Sequence, residues 1–184
     1  MWRVVGYTTL YTFLCYPHGE RLRLSQVLIF PLYQRQGHGQ QLLNCVYTLA
    51  EERGAVEVNI EDPAPGFQAL RDLTDLSRAR ALGYCVESEP WDPKKAEKIR
   101  SALRITLAQV RRLHDMTRLA FLDLRNEAEM KAFRLDVKKR LAKKFEEELS
   151  VYTDDTQARK AMLHEKYLKL EHAYCEVLRK ARLR

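Results

Sequence analysis

Apolar and polar positions alternate through the first thirty residues. Residues 3–16, RVVGYTTLYTFLCY, are rich in Val, Thr, Tyr and Phe, which suit a pleated surface. Pro17, His18 and Gly19 interrupt the run, and residues 22–30, LRLSQVLIF, resume it. The pattern predicts a hairpin of two long antiparallel strands with its turn near 17–21. The turn Gln34–Gly39 follows, then a helix from about Gly39 to Arg53. In it Leu42, Leu43, Val46, Leu49 and Ala50 recur at helical spacing, and Gly54 stands where a C-cap would. Residues 55–61, AVEVNIE, alternate again, with Val56, Val58 and Ile60 on one face and Glu57, Asn59 and Glu61 on the other. Asp62-Pro63 ends that strand and Ala64-Pro65-Gly66 forms a loop. Phe67–Leu82 reads as a second helix closed by Gly83.

The order β-β-α-β-α implies an α+β fold, with a mixed sheet under helical cover. Pro90 and Pro93 flank a short linker around Trp91, and residues 94–184 contain neither Gly nor Pro, as expected of a purely helical segment. Ile99, Leu103, Leu107 and Val110 form one apolar stripe there, and Phe133, Val137 and Leu141 another. A break near Tyr152-Thr153-Asp154-Asp155 predicts a cap for a last helix reaching about Arg182. The expected division is residues 1–93 as one domain and 94–184 as a helical domain.

Charge sharpens that division. Residues 1–93 hold 8 Lys and Arg against 11 Asp and Glu, a net of −3; residues 94–184 hold 24 against 14, a net of +10. The first half suits a basic partner. The second carries either solvated basic faces or a surface for acidic protein or nucleic acid. No run of eighteen apolar residues exists, so no membrane span is expected, and the first residues do not read as a signal peptide. Cys15, Cys45, Cys85 and Cys175 lack CxxC spacing, so reduced thiols in an intracellular protein are expected and no metal site.

Gln34-x-x-Gly37-x-Gly39 places two glycines between a strand and a helix. A helix N-terminus offers unpaired N–H groups and the positive end of its dipole, and glycines let a diphosphate approach that backbone. The spacing is neither GxGxxG nor GxxxxGK. On spacing alone, a tight turn that binds nothing fits as well.

The stretch SQVLIFPLYQRQGHGQQLL resembles the acetyl-CoA-binding segment of the GNAT superfamily, whose motif is Q/R-x-x-G-x-G/A. VVGYTTLY, RLRLSQVLIF, QGHGQQLL, IEDP, LRD and FRLDVKKRL, in that order, resemble the type B histone acetyltransferase catalytic subunits. The resemblance is dense over residues 4–72 and thinner beyond. It implies a GNAT-type fold: a partial mixed sheet with flanking helices, followed by a C-terminal helical segment. The backbone of Val27, Leu28 and Ile29 would pair with the pantetheine arm of acetyl-CoA, and an amide there would polarise the thioester carbonyl. The segment Gln34, Arg35, Gln36, Gly37, His38, Gly39 and Gln40 would cradle the pyrophosphate, with His38 packing or capping. The lysine ammonium, with a pKa of about 10.4 in water, must lose a proton before attack. The resemblance assigns Glu61 as that base and Asp62 as its partner. Tyr11, Thr12 and Phe13 match a segment lying against the substrate tail.

The implied activity is direct acetyl transfer, in a ternary complex, to a lysine of the histone H4 N-terminal tail. A WD40-repeat histone chaperone is the implied partner, and nucleus and cytoplasm the implied compartments. Two departures stand out. Arg35 occupies a position often held by glycine, and Ala64-Pro65-Gly66 replaces the Ser or Lys that follows E-D-P in relatives. The family also has an N-terminal region ahead of the hairpin, so this chain is expected to start inside that architecture, exposing a sheet edge. The alternatives are a non-catalytic remnant whose basic helices bind a histone, a chaperone or nucleic acid, and an acetyltransferase for a small amine. Direct nucleic-acid binding is not favoured, since the helices hold few aromatics for base stacking.

Overall fold

The computed structural model describes residues 2–17, 19–123, 125–151 and 155–183. His18 of the predicted hairpin turn and Tyr152–Asp154 of the predicted break lie outside them. The chain divides into two compact units: Met1–Val86 with Pro90–His114, and Glu87–Glu89 with Asp115–Arg184.

The first unit opens with β1 (Gly6–Cys15) and β2 (Gly19–Ile29), antiparallel and paired from Gly6↔Ile29 to Cys15↔Gly19. A register shift between Thr9 and Leu10 adds a bulge. A short 3-10 turn, Pro31–Tyr33, leads to α1 (His38–Glu52), which closes at Arg53 with Gly54 at φ 65°. The third strand, β3 (Glu57–Ile60), runs parallel to β2 in the register Arg21↔Glu57 to Leu24↔Ile60, and α2 (Pro65–Ala81) follows. The result is a three-stranded mixed sheet, order β1-β2-β3, flanked by helices: an α+β architecture of the GNAT type.

The core lies on the face of the sheet bearing Leu22, Leu24 and Val58, all buried, with Leu43, Val46, Tyr47 and Ala50 of α1 and Leu76 and Ala79 of α2. Helix α2 also buries charge. Asp72 accepts from Gln68, Gln109 and Arg112, while Arg71 lies 3.5 Å from the fully buried Asp75. On the other face Glu57 is buried beneath Arg21 at 3.3 Å and Arg100 at 3.0 Å. Among the described residues β1 pairs on one side only, and Tyr7, Tyr11 and Leu14 along it are exposed.

The expected stripe Ile99–Val110 does not lie on one helix. Helix α3 (Pro93–Leu103), capped by the Asp92 carboxylate, stops at Arg104, which adopts a left-handed φ of 53°. Ile105 forms a parallel bridge to Val58, Val58 N–H donates to Arg104 O at 2.8 Å, and the Arg104 guanidinium donates to Ala55 O. Helix α4 (Leu107–Phe121) then begins. The break needs neither Gly nor Pro, because the edge of β3 offers the backbone partners that the helix gives up. Ile99, Leu103 and Val110 are buried and Leu107 is exposed.

In the second unit α5 (Glu127–Lys144), α6 (Glu146–Ser150) and α7 (Thr156–Lys180) continue the chain. Asn126 caps α5 and Asp155 caps α7, each through its side-chain oxygen. Phe133 and Val137 of the second predicted stripe are buried, with Tyr167, Tyr174, Val177 and Leu178 of α7. No helix among the described residues is long and apolar enough to cross a membrane.

Candidate functional site

Strands β2 and β3 part company. Beyond Leu24↔Ile60 strand β3 ends, while β2 runs on through Ser25–Ile29. Val27, Leu28 and Ile29 therefore pair with β1 on one side and have no strand on the other among the described residues. This opened edge leads directly into the glycine turn. Gln34 Nε2 donates back to Ile29 O at 2.9 Å, and Gln36 Nε2 to Leu32 O at 2.9 Å, so two glutamine side chains tie the turn to the chain before it.

Arg35 takes a left-handed φ of 61° and Gly37 one of 87°. That explains why glycine suits position 35; an L side chain there costs about 1–2 kcal/mol of backbone strain. The Arg35 side chain is exposed. Gly37 is the N-cap of α1 and makes no side-chain cap bond. Gly37 O accepts from the N–H groups of Gln40 and Gln41, both at 3.1 Å. The N–H groups of His38 and Gly39, in the first turn of α1, have no partner within that helix. Unpaired N–H groups at a helix N-terminus are the kind of donor that suits an anion. Gly39 serves packing as well: a Cβ there would meet Leu70 Cδ2 at 3.0 Å. His38 stands edge-on to Tyr33, with ring centroids 6.3 Å apart.

Glu61 follows the last residue of β3, where that strand leaves β2. Its carboxylate accepts from the Arg23 guanidinium and, at 3.4 Å, from Asn59 Nδ2. Asp62, exposed, bends the chain away with φ 42°. Tyr11 pairs with Arg23 across β1 and β2, so Tyr11, Arg23, Asn59 and Glu61 share one sheet face, with Phe13 opposite Arg21 on the same side. Thr12 points to the other face, where its hydroxyl accepts from Arg53 at 3.5 Å. The structure thus brings Tyr11 and Phe13 to the face of Glu61 and leaves Thr12 behind the sheet.

Arg23 is the residue that reading the sequence for motifs passed over. Its signal was present: Arg21 and Arg23 alternate in RLRL as Glu57 and Glu61 do in EVNIE, and parallel pairing stacks them. No cluster of His, Cys, Asp and Glu able to hold a metal occurs among the described residues.

A strand that splits from its neighbour and feeds a glycine turn on a helix N-terminus defines a GNAT-type acyltransferase arrangement. No family model matches the chain. It is 38% identical to the histone acetyltransferase type B catalytic subunit of Mycosarcoma maydis, over 76% of this chain and 33% of that protein. It is 37% identical to the protein of the same name from Cryptococcus neoformans, over 95% of this chain and 44% of that one, and 31% identical to the human protein, over 77% and 35%. The chain is therefore a homologue of the histone acetyltransferase type B catalytic subunits, and spans between a third and just under a half of the length of these relatives.

Proposed function

We propose that the chain carries the cofactor-binding and catalytic segment of a histone lysine N-acetyltransferase, which moves acetyl from acetyl-CoA to a lysine of the histone H4 N-terminal tail. The observation that carries the reading is the glycine turn at the N-terminus of α1, which follows the opened edge of β2, with Glu61 placed where β3 leaves that same strand. The names of the relatives support histone acetylation; the H4 tail comes from the resemblance of the motifs.

In this reading the N–H groups of the turn hold the pyrophosphate, and the unpaired edge of Val27–Ile29 aligns the pantetheine arm in extended form. Glu61 takes a proton from the substrate ammonium, directly or through water. The resulting amine attacks the thioester carbonyl carbon; the C–N bond forms, a β2 amide N–H stabilises the oxyanion, and the C–S bond breaks with the thiolate leaving to take up a proton. A carboxylate has about four acceptor positions, so the contacts from Arg23 and Asn59 leave Glu61 room for the incoming amine. Asp62 and the exposed Tyr11 help hold the tail. A WD40-repeat histone chaperone as partner, and a nuclear and cytoplasmic location, belong to the same proposal.

The test is radiolabelled acetyl transfer to an H4 N-terminal peptide and to spermidine. Transfer to the peptide alone, lost in Glu61→Gln, is the expected result. Acetylation of spermidine without the peptide would make the chain a small-amine acetyltransferase. Peptide binding with no transfer would make it a non-catalytic histone-binding module.

A further inference from the structure

Helices α5 and α7 enclose a groove of about 440 Å³ lined by Arg134, Leu135, Lys138, Gln157, Lys160, Ala161 and His164. Its charge is one-sided. Arg134 and Lys138 stand four residues apart on α5, and Lys160 and His164 four apart on α7. No Asp or Glu occupies a position three or four residues before or after any of the four. Neighbouring bases on the same helices are treated differently: Lys169 pairs with Glu165, Lys166 with Glu148, Arg179 with Glu176 and Arg140 with Asp136. Arg134 and Lys160 make no ion pair with any described residue. Lys138 Nζ lies 3.2 Å from His164 Nδ1 across the groove. Burial, and then the charge of Arg134, push the Lys138 ammonium below its ordinary value.

Like charges at i,i+4 destabilise a helix, as Arg134 and Lys138 are placed on α5, and Lys160 adds a third cation from α7 across the groove. A polyanion relieves the repulsion. We propose that this groove binds phosphate groups. Its lining offers an Arg fork, two ammonium groups, an imidazole and the Gln157 amide, drawn from both helices. A tetrahedral phosphate accepts from several directions at once, whereas a carboxylate offers two oxygens in one plane. The exposed Lys131, one turn before Arg134, extends the row to Lys131–Arg134–Lys138, spanning roughly 10 Å along α5. No Phe, Tyr or Trp lines the groove, so it lacks the row of aromatic rings on which successive bases stack, and phosphate is the chemistry it offers to meet. The phosphate source is either a nucleic-acid backbone or a small polyphosphate.

The experiment uses the full chain, an Arg134→Gln/Lys160→Gln variant, and a Lys94→Gln/Lys98→Gln control with the same loss of charge on α3. Binding of a labelled 20-base-pair duplex is followed by anisotropy between 50 and 200 mM salt, and binding of tripolyphosphate by calorimetry. The groove variant is expected to bind at least about 10-fold more weakly than the control. For the duplex its salt slope falls by about two, since each lost phosphate contact removes about 0.9. Because repulsion is relieved, the variant's thermal midpoint is expected to stay or rise. Binding of both probes identifies a backbone; binding of tripolyphosphate alone identifies a small ligand. The proposal is overturned if neither binds, if variant and control weaken equally, or if a polyglutamate peptide of equal charge competes better than tripolyphosphate.

Discussion

The Arg23 guanidinium on β2 holds the carboxylate of Glu61 just past the end of β3, so the strand that carries the opened edge also positions this acid. Both side chains are about half exposed, at 43% and 49%. Such a pair contributes less than about 1 kcal/mol to stability; its value lies in where it puts the carboxylate. Arg23→Gln is expected to leave the denaturation midpoint nearly unchanged and acetyl-CoA affinity within about twofold. Peptide turnover should drop by about 10-fold, and Glu61→Gln should lower it by roughly 100-fold or more. Steady-state kinetics alongside urea melts separates position from folding.

Gly37 has φ 87° and open space around it. Gly37→Ala therefore meets no clash, and costs about 1 kcal/mol through backbone strain alone. Relaxation of that strain would turn N–H groups away from the cradle. Weaker acetyl-CoA binding with a small loss in thermal midpoint is expected. At Gly39 the same substitution presses on Leu70 and weakens the packing of α1 on α2 as well.

Asp75 is fully buried, and burial pushes its carboxyl up to about 6, with Arg71 partly opposing. The folded state thus holds a proton that the unfolded chain releases near pH 4. The stability from this group is fully present below pH 4, is lost as pH rises through about 6, and stays lost above. Compared with Asp75→Asn, the wild-type chain is expected to gain on the order of 2 kcal/mol between pH 7 and pH 4. Urea titrations of both proteins at half-unit pH intervals measure it.

Ile105 is buried completely and bridges to Val58 of β3. Ile105→Ala removes that packing, at a cost of about 2–5 kcal/mol. It also loosens the strand that leads into Glu61, so turnover should fall in a variant that still binds acetyl-CoA. Differential scanning calorimetry and the peptide assay check the two effects separately.

The hairpin, the helix after the glycine turn and the alternation of AVEVNIE were legible because period-2 and 3.6-residue patterns are local. The parting of β2 from β3 follows from β3 being four residues long against eleven in β2, lengths that the sequence pattern gave only loosely. The break at Arg104 was hidden because no Gly or Pro marks it; a backbone partner on β3, remote in sequence, decides it. The buried charges of α2 were invisible for the same reason. Arg71, Asp72 and Asp75 are buried by neighbours that local periodicity does not reveal. Glu61 could be named from its motif, but the guanidinium that holds it required the strand register.

The most direct test of the central claim is calorimetric titration of the folded chain with acetyl-CoA. Saturable binding in the micromolar range, weakened in Gly37→Ala, is the predicted result. An absence of binding, in a sample whose circular dichroism matches the helices described, would contradict the assignment of the Gln34–Gln40 turn as the acetyl-CoA cradle.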